Sequence, residues 1–294
     1  MAGIQIGAHV SSSGGLFTAI DRAVAIEAEA CQIFVSAPQN WRPTKHTEAA
    51  IAQFRARREE TGFGQVWVHN IYLANLASED PLMIEKSVAS VVNAMTVAAA
   101  AGAEGVVLHT GSHKGLGMDV VFSRVVEGIE RILATSPEGP LLALETMAGQ
   151  GGTIGTKFSD LGMLLRAVNS PRLATCLDTC HSFAAGYDIK TREGLDAAVA
   201  EYDREIGLER LAVIHANDSK TPLGGYRDRH ENIGDGYLGN EAFELLMAHP
   251  AFQGKAFLLE VPGIPSEKHP KGDGPDLENV RRLKAIRAGV PVAR

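Results

Sequence analysis

The sequence predicts an α/β fold: a single (β/α)8 TIM barrel over residues 1–294, with a metal site at the carboxyl-terminal face of its strands. Three observations lead there. Eight short apolar runs alternate with helical stretches along the 294 residues. The runs are continuously apolar, not alternating, which marks strands buried on both faces of a parallel sheet. The last six runs each end on a histidine, aspartate or glutamate. In a parallel barrel all strand ends open onto one face, and that face carries active sites.

The elements follow in order. The first two runs are Ile4–Ala8 and Gln32–Val35, and the next two are Val66–Val68 and Val106–Leu108. The remaining four are Leu141–Leu144, Leu173–Leu177, Leu211–Ile214 and Ala256–Leu259. Amphipathic or Ala-rich helical patterns fill 15–29, 47–60, 81–102, 119–134, 159–168, 192–206 and 240–248, with 276–287 after the last run. Eight such units in a chain near the usual length of about 250 residues match a closed barrel; an open doubly wound sheet is the alternative. No linker-like tract divides the chain. The connection 216–239 is long for a structureless loop, and loops of that kind are usually functional or disordered.

Composition bounds the class. With 45% hydrophobic and 21% charged residues, the chain has ordinary globular composition. No run of about 18 apolar residues is evident, so no membrane span is expected. The amino terminus lacks a basic segment followed by an apolar one, so no signal peptide is expected. Cys31, Cys176 and Cys180 read as reduced, buried thiols of a cytosolic protein. The formal charge of -7 argues, taken alone, against a nucleic-acid partner.

The strand ends carry the chemistry. Runs three to eight deliver His69, His109, Glu145, Asp178, His215 and Glu260. His181 follows in the loop after run six, and Asp228 and His230 lie in the long loop after run seven. A single histidine or aspartate after a strand is commonly a turn former or helix cap. Six in succession call for a shared metal centre. Five histidines and four carboxylates without a thiolate suit Zn2+, with Mn2+ or Fe2+ as the alternatives. Nine ligands exceed one tetrahedral ion and suit three, provided one carboxylate bridges. His9 and His113 sit just past runs one and four and are expected to support the ligands or contact phosphate. The stretch GQGGTIGTK, 149–157, lacks the Gly-Lys-Ser/Thr ending of a nucleotide phosphate loop. His46, His249 and His269 have no ligand-like context.

These residues sit in longer stretches that resemble the endonuclease IV family of apurinic/apyrimidinic (AP) site repair enzymes. The matching segments are GAHVSSSGGL (7–16), HNIYLANLA (69–77), HTGSH (109–113), LETMAGQG (144–151), LDTCHSFAAGYD (177–188) and HANDSK through DRHENIGDG (215–236). The resemblance runs nearly end to end. It implies a TIM barrel with three Zn2+ ions. His69, His109 and Glu145 would hold one. Glu145 would bridge to a second with Asp178, His215 and Glu260, and His181, Asp228 and His230 would hold the third. It further implies that Tyr72 and Leu73, in the loop after run three, enter the DNA stack. Gln39, two positions before Trp41, stands where family members carry an arginine that does the same.

The implied reaction is hydrolysis of the phosphodiester 5′ to an abasic site in base excision repair. It leaves 3′-hydroxyl and 5′-deoxyribose phosphate ends, and trimming of 3′ ends is expected beside it. Glu145 and Glu260 are the catalytic candidates: Glu145 as a bridge, Glu260 also to orient the attacking water. The partner would be damaged double-stranded DNA, bound by a cytoplasmic monomer away from any membrane. Three divalent ions would offset most of the negative charge, leaving phosphate contacts to Lys220 and Arg229, with Arg42, Lys114, Lys157 and Arg227 as further candidates. Two other readings use the same barrel. A sugar isomerase or epimerase would need fewer metals and an acid/base pair. A catalytically inert binder of damaged DNA would keep the ligands without turnover.

Overall fold

The eight expected strands close into one ring. A computed structural model describes residues 3–292, so the outermost two residues at each end of the expected 1–294 domain lie outside the described part. The strands are β1 (Gln5–His9), β2 (Ala30–Phe34), β3 (Val66–His69), β4 (Gly105–Leu108), β5 (Leu141–Glu145), β6 (Leu173–Asp178) and β7 (Leu211–His215), with β10 (Ala256–Leu259) as the eighth of the ring. All pair in parallel, in the order β1-β10-β7-β6-β5-β4-β3-β2. The open-sheet alternative is therefore excluded, because β1 bonds to both β2 and β10.

Side-chain size sets the barrel interior. Trp67 is buried among Ala30, Ala143, Ala174, Cys176, Val213 and Ala256, small or slender residues on other strands. A Cβ added at Gly105 would lie 2.7 Å from the Trp67 ring, so the barrel accepts this large residue by keeping neighbours small. A second, larger apolar layer lies between the strands and the helices outside them.

The helices begin where the sequence supplies caps. Thr47, Asp80, Thr191 and Asp276 each accept a backbone N–H at the start of α2 (Glu48–Glu60), α3 (Pro81–Ala101), α7 (Arg192–Glu205) and α9 (Leu277–Arg287). The remaining long helices are α1 (Phe17–Ala25), α4 (Met118–Thr135), α5 (Phe158–Val168) and α8 (Gly239–Ala248). By length and composition α3 is apolar enough to cross a membrane, a property the sequence reading did not register. Its apolar side is spent on packing instead: Ile84, Val88, Val91 and Met95 are buried in the core.

Two elements were not legible in the sequence. His181 is not in a loop but in α6 (Thr179–Ala185), which Asp178 caps and Gly186, at φ 109°, ends. Seven residues are too few for a period to show. The connection after β7 is likewise not structureless. It contains a short antiparallel pair, β8 (Asp218–Ser219) with β9 (His230–Glu231). The paired register, Ser219 opposite His230, turns His230 back toward the strand ends.

Candidate metal centre

The strand ends converge as the sequence predicted. His69 Nε2 and His109 Nε2 lie 3.2 and 3.0 Å from Glu145 Oε2. The other Glu145 oxygen, Oε1, is 3.1 Å from His215 Nδ1 and 3.3 Å from His181 Nδ1. His215 Nδ1 is also 3.2 Å from Glu260 Oε2. Asp228 bridges the remaining imidazoles, at 3.2 Å from His181 Nε2 and 3.3 Å from His230 Nε2.

Three groups of ligand atoms lie within 4.8 Å of one another: His69, His109 and Glu145; Glu145, Asp178, His215 and Glu260; and Asp178, His181 and His230. Two carboxylates are therefore shared, not one. Glu145 joins the first two groups, and Asp178 reaches the third as well, its Oδ2 standing 3.7 Å from His215 Nδ1 and 3.6 Å from His230 Nε2. Asp178 can reach both because it ends β6 in register with His215 and caps the helix that carries His181.

The hydrogen bonds around the centre identify which histidine nitrogens face it. His69 Nδ1 is 2.7 Å from the Asn70 carbonyl and His181 Nδ1 is 2.9 Å from the Thr146 carbonyl. His230 Nδ1 is 3.2 Å from the Glu260 carbonyl. A carbonyl only accepts, so each of these nitrogens carries the proton and the opposite Nε2 offers its lone pair to the centre. His215 is reversed, and Gln32 is the reason. The Gln32 amide nitrogen donates to Glu260 Oε1 at 2.7 Å, so its carbonyl oxygen faces His215 Nε2 at 2.9 Å and fixes the proton there. His215 Nδ1 is left for the centre. Ligand histidines anchored through their second nitrogen are the usual arrangement at protein metal sites.

Charge in the centre is balanced between imidazoles and carboxylates, protons on the imidazoles filling the role that a cation would take over. Burial disfavours charge on His181 and His215, yet Asp178, Asp228 and Glu145 around His181, and Cys176, Glu260 and Glu145 around His215, outweigh it and hold both well above the ordinary imidazole range. Burial likewise opposes ionisation of Glu145, and His215 and His109 overcome it, holding the carboxyl well below its ordinary range. Asp228 is pushed up by burial but brought down to about 2 by His181 and His230. Glu145 and Asp178 are fully buried and Glu260 nearly so. Carboxylates packed this closely require positive charge among them. The Nε2 atoms of His181 and His230 are buried and face carboxylate oxygens of Asp228 and Asp178 without an aligned hydrogen bond among the described residues. Lone pairs converging on carboxylate oxygens, in an N/O donor set, fit divalent cations such as zinc. Burial pushes the thiols of Cys176 and Cys180 up to about 12, so neither supplies a thiolate.

The other predicted site residues take different places. His9 lies at the edge of the centre, its Nδ1 3.2 Å from Glu260 Oε1, and burial lowers its pKa. His113 supports the loop after β4 instead, accepting from the backbone N–H groups of Gly115 and Gly117. Tyr72 is 49% exposed and packs edge-on against Phe34, 5.2 Å between ring centroids. Leu73 is half-buried beside it, and Gln39, Lys220 and Arg229 are exposed. Lys220 lies 3.7 Å from Glu231, and an Arg229 guanidinium N–H donates to the Asp228 carbonyl. His46, without ligand-like context in the sequence, is half-buried with Nε2 2.7 Å from the Val35 carbonyl.

Sequence reasoning missed three residues behind the ligands: Gln32, Thr146 and Asn217, all buried. The Asn217 amide donates to Asp178 Oδ2 at 2.8 Å and accepts the Glu260 N–H at 2.7 Å. Thr146 Oγ1 accepts the Asp178 N–H. The signal was present for Gln32, a polar residue inside an otherwise apolar buried strand.

Comparison with known proteins agrees with this geometry. The family model described as a xylose isomerase-like TIM barrel matches residues 20–285. The chain is 37% identical to the probable endonuclease 4 of Halothermothrix orenii over 282 residues, covering 96% of this chain and 99% of that one. It is 35% identical to the probable endonuclease 4 of Persephonella marina over 292 residues, covering 99% and 100%. The crystal structure of endonuclease IV from Thermus thermophilus superposes with a TM-score of 0.81 at 34% identity, covering 97% and 98%. A D-psicose 3-epimerase at 13% identity and a TM-score of 0.65 shares the fold alone. With identity of this level sustained over its whole length, the chain belongs to the endonuclease IV family.

Proposed function

We propose that this protein is a zinc-dependent AP endonuclease that hydrolyses the phosphodiester 5′ to an abasic site, leaving 3′-hydroxyl and 5′-deoxyribose phosphate ends. The observation that carries the proposal is the run of nine ligand side chains joined through Glu145 and Asp178, in a chain aligned with endonuclease IV relatives over its whole length. His69, His109 and Glu145 would hold one zinc ion. Glu145, Asp178, His215 and Glu260 would hold a second, and His181, Asp228 and His230, with Asp178 alongside, a third. Zinc so held supplies Lewis acidity and water activated at neutral pH, both needed because an anionic phosphodiester repels hydroxide.

The chain's own residues supply the rest. Glu260, held by Gln32 and the Asn217 amide, is aimed at the centre and orients the attacking water by accepting its hydrogen bond. Glu145 keeps the first two groups at a fixed separation. Tyr72 and Leu73 stand on the loop after β3, where they would fill the gap left by the missing base. An abasic nucleotide has lost pairing and stacking, so extruding it costs less than extruding a normal one. Lys220 and Arg229, exposed on the same face, would contact phosphates, which fix register without reading sequence.

An end-labelled duplex with one tetrahydrofuran abasic analogue tests the reading against a matched undamaged duplex. The expected result is incision immediately 5′ to the analogue, with a 3′-hydroxyl end and no added Mg2+. Brief EDTA should inhibit slowly, because the ligands are fixed protein groups. The analogue cannot undergo β-elimination, so an intact strand would refute phosphodiester hydrolysis. Isomerisation of a sugar by the same preparation would replace it with the isomerase reading.

A further inference from the structure

Tyr226 stands two positions from the ligand Asp228, and packing does not account for it. It is 54% exposed, and its backbone lies at φ 51°. Bulky side chains rarely enter this left-handed region, because Cβ crowds the backbone there. Such a conformation persists only where the surroundings hold it. Here they do. The Gly224 N–H donates to the Phe183 carbonyl at 3.2 Å and the Tyr226 N–H to the Ala184 carbonyl at 2.9 Å, both on α6. The Asp228 N–H donates to Gln150 Oε1 at 3.0 Å. The tip of the loop is thus tied on both sides while its largest side chain stays in water.

The ring has a prepared seat. A Cβ added at Gly149 would come within 2.8 Å of Tyr226 Cδ1, so the ring lies across a position with no side chain to push it away. With about half of its surface exposed, the side chain is left open to a ligand. Arg227 and Arg229 flank it, both exposed, and Arg227 forms no ion pair among the described residues. Tyr72 makes a counterpart. Its strand, β3, is four places from β7 in the eight-membered ring, but the loop after β7 folds back so that Tyr226 sits against α6 and Gly149, beyond β6 and β5, three and two places from β3. Tyr72 leans toward His109, 5.8 Å between ring centroids, while Tyr226 stands at the Asp228 end.

We infer that Tyr226 is a second stacking platform, apart from Tyr72, which binds the face of an unstacked nucleobase where the DNA strand passes the Asp228 side of the metal centre. The inference rests on the proposed nuclease function. Every base has a π-face, so an aromatic ring binds single-stranded or disrupted DNA without reading its sequence. A duplex with a missing base offers such faces beside the gap, and Arg227 supplies a cation where the adjoining phosphate would run.

The test compares wild type, Tyr226→Phe and Tyr226→Gly. Binding to the tetrahydrofuran duplex is read by fluorescence anisotropy, incision by single-turnover kinetics, and folding by thermal denaturation. Tyr226→Phe keeps the stacking face and should bind as wild type does. Tyr226→Gly should weaken binding about ten-fold, within the range measured for base–aromatic stacks. The loss should fall on Kd more than on the saturated incision rate. Glycine tolerates φ 51°, so its melting temperature should equal or exceed that of wild type. Undiminished binding by Tyr226→Gly overturns the inference. So does a loss of binding accompanied by a drop in melting temperature that Tyr226→Phe shares, since that marks a structural ring. If wild type itself neither binds nor cuts the abasic duplex, the nuclease reading fails and takes this inference with it; normal cutting by wild type separates the two failures.

Discussion

Gln32 shows how much a single buried residue can determine here. It is fully buried in β2, donates to Glu260 and accepts from His215, so one amide orients a carboxylate and selects the tautomer of an imidazole. Substitution by leucine keeps the approximate volume and removes both interactions. Gln32→Leu should therefore fold but bind zinc less tightly and turn over about 10- to 100-fold more slowly, the usual effect of losing a support behind a metal ligand. Elemental analysis and incision kinetics on the same preparation check this; full zinc content with wild-type turnover would show that His215 and Glu260 need no such support. Six of the nine candidate ligands were legible in the sequence because each ends an apolar run, while His181, Asp228 and His230 were picked out from the loops that follow. Gln32 and Asn217 were harder to see, since their importance comes from partners on other strands, 183 positions away in the case of Gln32 and His215.

At the scale of elements, Asp218 organises the connection after β7. Its carboxylate accepts backbone N–H groups from Ser219, Gly234, Gly236, Leu238 and Gly239. This cluster folds the chain back so that β9 presents His230 to the centre. Asp218→Ala would leave those donors unpaired in a buried place, at a cost of about 3 kcal/mol or more. The expected outcome is a lowered urea midpoint together with loss of the metal proposed for His181, Asp228 and His230. A variant with wild-type stability would show that the glycine-rich turn holds its own shape. The sequence made this loop conspicuous by its length, but the receiving carboxylate and its donors are up to 21 positions apart, and no local pattern joins them.

At the scale of the whole molecule, Glu29 ties the two ends of the barrel together. It accepts the Ile6 N–H of β1 at 2.9 Å and pairs with Arg287 at the end of α9, 2.6 Å away. Burial alone would raise its pKa, but Arg287 and the Ile6 N–H outweigh that and hold it below the ordinary glutamate value. A depressed carboxyl contributes stability above its unfolded pKa and loses it as pH falls through its folded one. Glu29→Gln should therefore melt below wild type at pH 7, and the gap should close under acid conditions beneath the ordinary glutamate range. Thermal melts at the two pH values decide it; a gap that widens in acid would reverse the sign. The parallel α/β class and the positions of its eight strands were determined by the sequence itself, because burial on both sides of a parallel strand forces continuous apolar runs; closure into a ring, which puts all the strand ends together, was decided by the tertiary structure. Only the tertiary structure decided that Asp178 is shared along with Glu145, that His215 faces the centre through Nδ1, and that Tyr226 stands in water at a left-handed φ. Those features depend on distances between residues far apart in the chain, which short-range periodicity does not encode.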